Sequence, residues 1–373
     1  MIPGKGMAGF LIIAVLAATV GCNNNLSGGS SSSHTAYLPV PTDNAVQGLR
    51  IDNSSGAFTA LAGSPFPAGI SPASSVIHPS GKFAYVANQS GNNISLFTID
   101  SNTGALSEVL PQTAAGFTPV SLAMDSGGNL LFAANEASSS ISVYSVDAST
   151  GALTGIAGSP FATSPNPNSL ALTPSGNFLY VVNTNLSAIF AYSVASDGTL
   201  QAVAESPFTV APGPEAVAID PAGKFAYVAE SAANSVSVFS IESTSGALIA
   251  VSGSPFVAGT SPVSVATDVS GKYLYVANLG SNNISEFSIN STTGFLTPIA
   301  NNSTTANPIT SSTVASTSPT FLVADPDGKF FYVGSQSQKE VTEFTIDETT
   351  GVLSSNSQSA GTGVAPASMS VTK

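Results

Sequence analysis

A unit of about 47 residues that recurs along the chain, four strand-like runs within each unit, and seven occurrences of one aromatic position predict an all-β fold. The architecture expected is a seven-bladed β-propeller with four antiparallel strands per blade. The repeat is visible in HPSGKFAYVAN (78–88), DSGGNLLFAAN (125–135), TPSGNFLYVVN (173–183), DPAGKFAYVAE (220–230), DVSGKYLYVAN (268–278) and DPDGKFFYVGS (325–335). These begin 47, 48, 47, 48 and 57 residues apart, the last interval lengthened by a Ser/Thr-rich insertion around 301–318. Composition agrees, since 43% hydrophobic residues supply a large core while 34 Gly and 24 Pro punctuate it with turns.

Each unit is expected to run as follows. The innermost strand, a, reads P-x-S-V-A-x-D, its proline suiting an edge strand and its small residues suiting a crowded axis. A D-P-S-G turn of type I leads into strand b, K-F-A-Y-V-A-N. Strand c, as in ISLFTID, is followed by a turn in which Gly104, Gly151, Gly246, Gly294 or Gly351 supplies a left-handed residue, and strand d opens G-A-L-T. Crossovers carrying GSPF (63–66, 158–161, 253–256) or ESPF (205–208) place a phenylalanine to plug the gap between sheets.

The strand-b aromatic recurs at Tyr37, Tyr85, Phe132, Tyr180, Tyr227, Tyr275 and Tyr332, and the strand-a proline at Pro72, Pro119, Pro167, Pro214, Pro262, Pro319 and Pro366. The first unit begins on a strand b (Ala36 to Val40) and the last stops on a strand a (366–372). One blade is therefore expected to be shared, with residues 367–372 pairing against Ala36 to Val40 so that the ring has no open edge.

Before the repeats, Lys5 and the apolar run from Phe10 to Val20 suit the h-region of a signal peptide and are too short to span a bilayer. VGC at 20–22, followed by an Asn- and Ser/Gly-rich tract, resembles a bacterial lipoprotein signal, which implies lipidation of Cys22. The expected organisation is a signal peptide at 1–21, a linker at 22–35 that includes His34, and a propeller at 36–373. The expected location is the bacterial cell envelope, with a lipid anchor in the membrane. With one cysteine no intramolecular disulfide forms. A net charge of -13 without a Lys/Arg cluster excludes a nucleic-acid surface.

Tyr85-Val-Ala-Asn88, Tyr180-Val-Val-Asn183 and Tyr275-Val-Ala-Asn278, each after an S-G-[KN] turn, resemble the YVTN repeats of microbial surface proteins. They are also similar to the seven-bladed lactonase family that includes 6-phosphogluconolactonases. The resemblance covers residues 36–373 and implies a propeller and lactone hydrolysis; it says less about chemistry than about fold.

Few residues are suited to that chemistry. His78 stands where other repeats have Asp or Thr and reads as a turn residue. Arg50 aligns with Thr98, Ser145, Ser193 and Ser240 as a solvated strand-c residue. Lys82, Lys224, Lys272 and Lys329 fall on the a–b turns of one rim, which leaves little positive charge for a phosphorylated substrate at the other. Asp325-Pro-Asp327-Gly resembles a fragment of a calcium loop but lacks further ligands, so no metal or other cofactor is expected. At the other rim, Asn88, Asn135, Asn183 and Asn278 end strand b as turn caps or as a ligand-binding row. Glu205, Glu215 and Glu230 are expected on that same rim, with Glu215 opposite Val228 and diagonal to Glu230, the pair being the candidate acid and base. The expectation drawn is a monomeric binding or scaffolding module with a carbohydrate, small-molecule or protein ligand at its mouth. The alternatives are a lactonase acting on a neutral extracytoplasmic lactone and a purely structural surface protein.

Overall fold

The computed structural model describes residues 33–299 and 318–373; Cys22, the apolar segment before it and nearly all of the insertion lie outside these. The described chain forms seven antiparallel sheets with no α-helix among the described residues, only a 3-10 turn at Pro41–Asp43. Blade 2 shows the pattern: Pro72–Ile77, Phe83–Asn88, Asn93–Ile99 and Leu106–Ala114 pair in that order as strands a, b, c and d. Blades 3 to 7 repeat it, with strand a at Pro119–Met124, Pro167–Leu172, Pro214–Ile219, Pro262–Thr267 and Pro319–Ala324. No helix among the described residues is long and apolar enough to cross a membrane.

The ring closes through its ends. Blade 1 takes strands b, c and d from Ser33–Val40, Ala45–Asp52 and Phe58–Ala60, and strand a from Ser370–Val371, with Ala36 opposite Val371 and Tyr37 opposite Ser370. Ala367 N–H also donates to Pro39 O, and Thr372 N–H to Thr35 O. Strand b begins at Ser33, earlier than expected, so His34 is a buried strand residue and not part of a linker.

Adjacent blades are held by a repeated hydrogen bond. The buried strand-b tyrosine donates its hydroxyl to the carbonyl of the c–d turn glycine in the next blade: Tyr37 to Gly104, Tyr85 to Gly151, Tyr180 to Gly246 and Tyr275 to Gly351, at 2.7 to 2.9 Å. Burial pushes these phenols well above their usual range, so they remain donors. The glycine is required twice over. Gly246 sits at φ +74, and a Cβ there would lie 2.3 Å from the Phe178 ring.

Nearer the axis, the serine of P-x-S takes a backbone N–H from the next strand a, as in Ser74 with Leu122, Ser121 with Leu170, Ser169 with Val217 and Ser264 with Leu322. The crossover phenylalanines behave as expected: Phe66 is buried and Phe161, Phe208 and Phe256 pack against the inter-blade cores.

A chain ending at Ala365 loses strand a of blade 1 and exposes the edge of Ser33–Val40. Its thermal unfolding is expected at lower temperature and with a broader transition than the parent; an unchanged melting curve by circular dichroism contradicts closure through 370–371.

Candidate functional site at the channel mouth

Strand a starts at the mouth and runs to the a–b turns on the opposite rim. In blades 2 to 7 the residue after the proline is a β-bulge, because the proline and the residue two places on pair with consecutive residues of strand b. A bulge re-aims its side chain out of the alternation of the strand. The bulged residues are Ala73, Val120, Asn168, Glu215, Val263 and Thr320, so the two amide- or carboxyl-bearing members stand side by side in blades 4 and 5.

Glu215 is half-buried and held by neutral donors. Ser231 Oγ donates to its Oε1 at 2.8 Å and Asn168 Nδ2 to its Oε2 at 3.2 Å. Asn168 also reaches Glu215 O and Thr184 Oγ1, and Thr184 donates to Pro214 O at 2.7 Å, which ties blade 4 to blade 5. Asn168 Oδ1 is buried without a hydrogen-bond partner among the described residues. Burial raises the Glu215 carboxyl above its ordinary value, and the Ser231 and Asn168 bonds offset only part of that. No cation pairs with Glu215 among the described residues. A carboxyl with a raised pKa, fixed in orientation and partly open to solvent, is suited to taking a proton from water.

The other expected site residues are placed differently. Pro214 opposes Glu230, and Val217 opposes Val228, so Glu215 is not diagonal to Glu230 in the manner anticipated. Glu230 is 0% exposed and takes hydrogen bonds from Ala211 N–H, Ser235 Oγ and Ser237 Oγ. Its carboxylate braces the crossover and the strand-c serines and shares no partner with Glu215, which removes it as the second catalytic group. Asn88, Asn135, Asn183 and Asn278 are likewise wholly buried. Their amides bond Ser95, Ser142, Ser164 and Ser285 respectively, so they brace loops and offer no row of ligand contacts.

Glu205 is exposed and far from this arrangement in the topology. It lies between Leu200–Ala202 and Phe208–Thr209, both of which pair with strand c of blade 4, hence on the outer perimeter. There it occupies φ +68, the place of the crossover glycines. The three glutamates therefore do not form one group. His78 is a turn residue, its ring bonded to Ser80 Oγ and placed 3.1 Å from Gly128 O of the next blade, and Arg50 reaches the carbonyls of Asn102 and Thr103.

Sequence reasoning passed over two other acidic residues. Glu286 and Glu343 are 0% exposed and sit in strand c opposite Tyr275 and Tyr332, where blades 2 to 5 have Leu96, Val143, Ala191 and Val238. That contrast was available in the repeat alignment. Burial lifts Glu286 to about 7 and Glu343 to about 8. The Leu353 backbone offsets only part of this for Glu286, and Oε2 of Glu343 has no hydrogen-bond partner among the described residues.

The chain matches the family described as lactonase, 7-bladed beta-propeller over residues 30–168 and 170–311. It belongs to that family. No functionally curated protein matches it in sequence. Among solved structures, a candidate 6-phosphogluconolactonase of Bacteroides fragilis has a TM-score of 0.78 at 21% identity, covering 94% of this chain and 100% of its own. A second, from Bacteroides uniformis, gives 0.77 at 20% identity over 91% and 99%. The periplasmic gluconolactonase of Pseudomonas aeruginosa gives 0.74 at 20% identity over 92% and 99%. At these identities the likeness is one of fold.

The buried carboxyls make stability pH-dependent. A glutamate whose folded pKa is raised stabilises fully below its unfolded pKa and loses that contribution as pH rises through the folded value. Between pH 5 and 8 the protein is expected to lose stability, at up to about 1.4 kcal/mol per pH unit for each group still protonated only when folded. Glu286→Gln and Glu343→Gln together should flatten the loss; denaturant melts of the double variant that keep the parental slope contradict the assignment.

Proposed function

We propose that this lactonase-family propeller hydrolyses a neutral lactone outside the cytoplasm, at the channel mouth, with Glu215 as the general base. The observation that carries the reading is Glu215 itself: a bulged, half-buried carboxyl at the mouth, oriented by Ser231 and Asn168. Family membership favours hydrolysis over the binding or scaffolding role expected from sequence, and the solved neighbours named for gluconolactone or its phosphate suggest a sugar lactone. In the reaction proposed, Glu215 removes a proton from a water that attacks the lactone carbonyl, and as the acyl C–O bond breaks it returns that proton to the ring oxygen, which leaves as the hydroxyl of the acid. Asn168 and Ser231 hold the carboxylate on line and touch no reacting atom.

The substrate proposed lacks a phosphate. Lys82, Lys224, Lys272 and Lys329 follow the a–b turns on the far rim, whereas the mouth cluster is acidic and neutral. A phosphate there would meet Glu215, which has no ion-pair partner among the described residues, while the mouth-side lysine, Lys339, stands two blades away in the b–c loop of blade 7. One observation keeps a binding role in view as the second reading: Ile70, Phe117 and Leu186, in crossovers and a b–c loop on the mouth side, are 59%, 65% and 54% exposed. Exposed apolar side chains on such a rim suit contact with an apolar part of a ligand.

Hydrolysis of glucono-1,5-lactone, followed by acid release, tests the main reading. Glu215→Gln is expected to lower kcat by about 10²-fold or more while leaving the melting temperature near that of the parent. Activity of the parent should rise with pH through the raised carboxyl pKa, since the base works unprotonated. Equal turnover by the variant places the chemistry elsewhere.

Anchoring through Cys22 is proposed from its position after the apolar run and before a polar tract. Cys22→Ser is expected to move the protein from the membrane to the soluble fraction of cells; continued sedimentation with membranes contradicts a lipid anchor.

A further inference from the structure

We propose that the seam between blade 7 and the closing blade 1 holds a divalent transition cation of the Zn2+ type, bound by His34, Asp325 and Asp327. The three residues come from two distant parts of the chain: the first strand supplies His34, and the a–b turn of blade 7 supplies both aspartates. His34 Nε2 lies 3.1 Å from Asp327 Oδ2 and 3.6 Å from Asp325 Oδ1. The three ligand atoms all fall within 4.8 Å of one another. Tetrahedral Zn2+ at 2.0–2.2 Å from N and O ligands sets those ligands about 3.3 Å apart, between the 3.1 and 3.6 Å of the two His34 pairs. One imidazole with two carboxylates is a donor set suited to Zn2+ and its neighbours in the first transition row, and too poor in oxygen for Ca2+.

The donor and acceptor pattern at the seam favours a cation over a proton. Asn53 Oδ1 accepts from His34 N–H at 2.9 Å, which fixes the amide with Nδ2 toward the cluster. That Nδ2 donates to Asp327 Oδ2 at 2.9 Å and stands 3.0 Å from His34 Nε2. A proton on Nε2 sets two donors against each other. Without it, the Nε2 lone pair faces two carboxylate oxygens. A cation set between Nε2 and the two carboxylate oxygens gives these three acceptors a common partner.

The imidazole is held inside the seam, where two buried polar atoms lack a partner among the described residues. His34 is 4% exposed, and its other ring nitrogen, Nδ1, has no partner among the described residues. The wholly buried Glu343 leaves Oε2 unpartnered and packs against Gly56, in the blade 1 turn that also carries Asn53.

This seam differs from the other six in sequence as well as in contacts. The position of His34 is Lys82, Asn129, Asn177, Lys224, Lys272 and Lys329 in the other blades, and that of Asp327 is Ser80, Gly127, Ser175, Ala222 and Ser270. The blade 7 tyrosine departs too: Tyr332 gives its hydroxyl to Asp325 Oδ1 at 3.2 Å instead of to the next blade's turn glycine. A cation here would join blade 7 to blade 1 where the usual inter-blade bond is missing and where the closing strand is only two residues long. The opposite end of the channel, with Glu215, is untouched by this arrangement.

The test uses the full-length protein stripped of metal with a chelator and titrated with Zn2+ alone. Calorimetry is expected to show one Zn2+ bound per chain, and saturating Zn2+ to raise the melting temperature. Asp327 is a largely solvent-facing turn residue, so Asp327→Asn should fold and bind Zn2+ at least tenfold more weakly, with the melting shift lost. His34→Gln should do the same, whereas His78→Gln, which removes the other histidine, should bind as the parent does. Co2+ in place of Zn2+ should give the visible absorption of a four-coordinate ion in the parent and lose it in Asp327→Asn. Absence of stoichiometric binding, equal affinity in Asp327→Asn, or loss of binding in His78→Gln overturns the proposal, as does stabilisation by Ca2+ and not by Zn2+.

Discussion

The tyrosine hydroxyl that reaches from strand b of one blade to the c–d turn glycine of the next is the contact on which the ring depends. Within a blade, backbone ladders join four strands, but those ladders end at the blade's edges. What fixes one sheet against its neighbour is side-chain packing, and packing alone leaves the angle between sheets loosely defined. A buried phenol adds direction. Its net contribution is about 1 kcal/mol per bond, yet leaving it unmade inside the core costs more, so the geometry that makes it is strongly selected in folding. The glycine follows from the same contact, because its carbonyl is presented by a left-handed residue packed against side chains of the preceding blade, an aromatic ring at Gly151, Gly246 and Gly351.

Where that bond is missing, the seams show how the ring compensates. Blade 3 carries Phe132, and Tyr227 in blade 5 is buried with its hydroxyl unpartnered among the described residues. Both lie within a covalently continuous run of blades, where the chain itself limits the angle. The 7–1 seam has no such continuity. There the tyrosine turns inward to Asp325, and His34, Asn53 and Asp327 form a polar joint across the gap. Closure thus rests on charge and hydrogen bonding where most other seams carry a phenol bond, a serine link or both.

The mouth follows a different logic. A proline that cannot donate begins strand a, the bulge after it turns one side chain per blade out of the strand's alternation, and the identity of that residue decides what the channel presents. In most blades it is small or apolar. Asn168 and Glu215 in adjacent blades make a polar patch in an otherwise bland ring, and the burial that raises the Glu215 carboxyl comes from the same crowding at the axis. The buried Glu230 illustrates the contrast. Sixteen residues are enough to place Glu215 and Ser231 in contact, yet Glu230, one residue before Ser231, faces the opposite way into its loop.

The sequence by itself determined the blade number, the four strands per blade, the turns, the sharing of one blade between the chain ends and the packing role of the crossover phenylalanines. All of these are local or periodic, and a period repeated along one chain reveals which positions are core. The sequence also pointed to Glu215 as a residue out of keeping with its repeat. It did not reveal the bulge at Glu215, because a one-residue slip in register changes which side chains meet without changing the pattern of residue types. The burial of Glu230 and of the strand-b asparagines was equally hidden, since a rim loop folded over a side chain reads the same as one open to water. The tertiary structure alone brought His34 beside Asp325 and Asp327. These are residues nearly three hundred positions apart, and no spacing rule anticipates a contact that exists only because the ring closes.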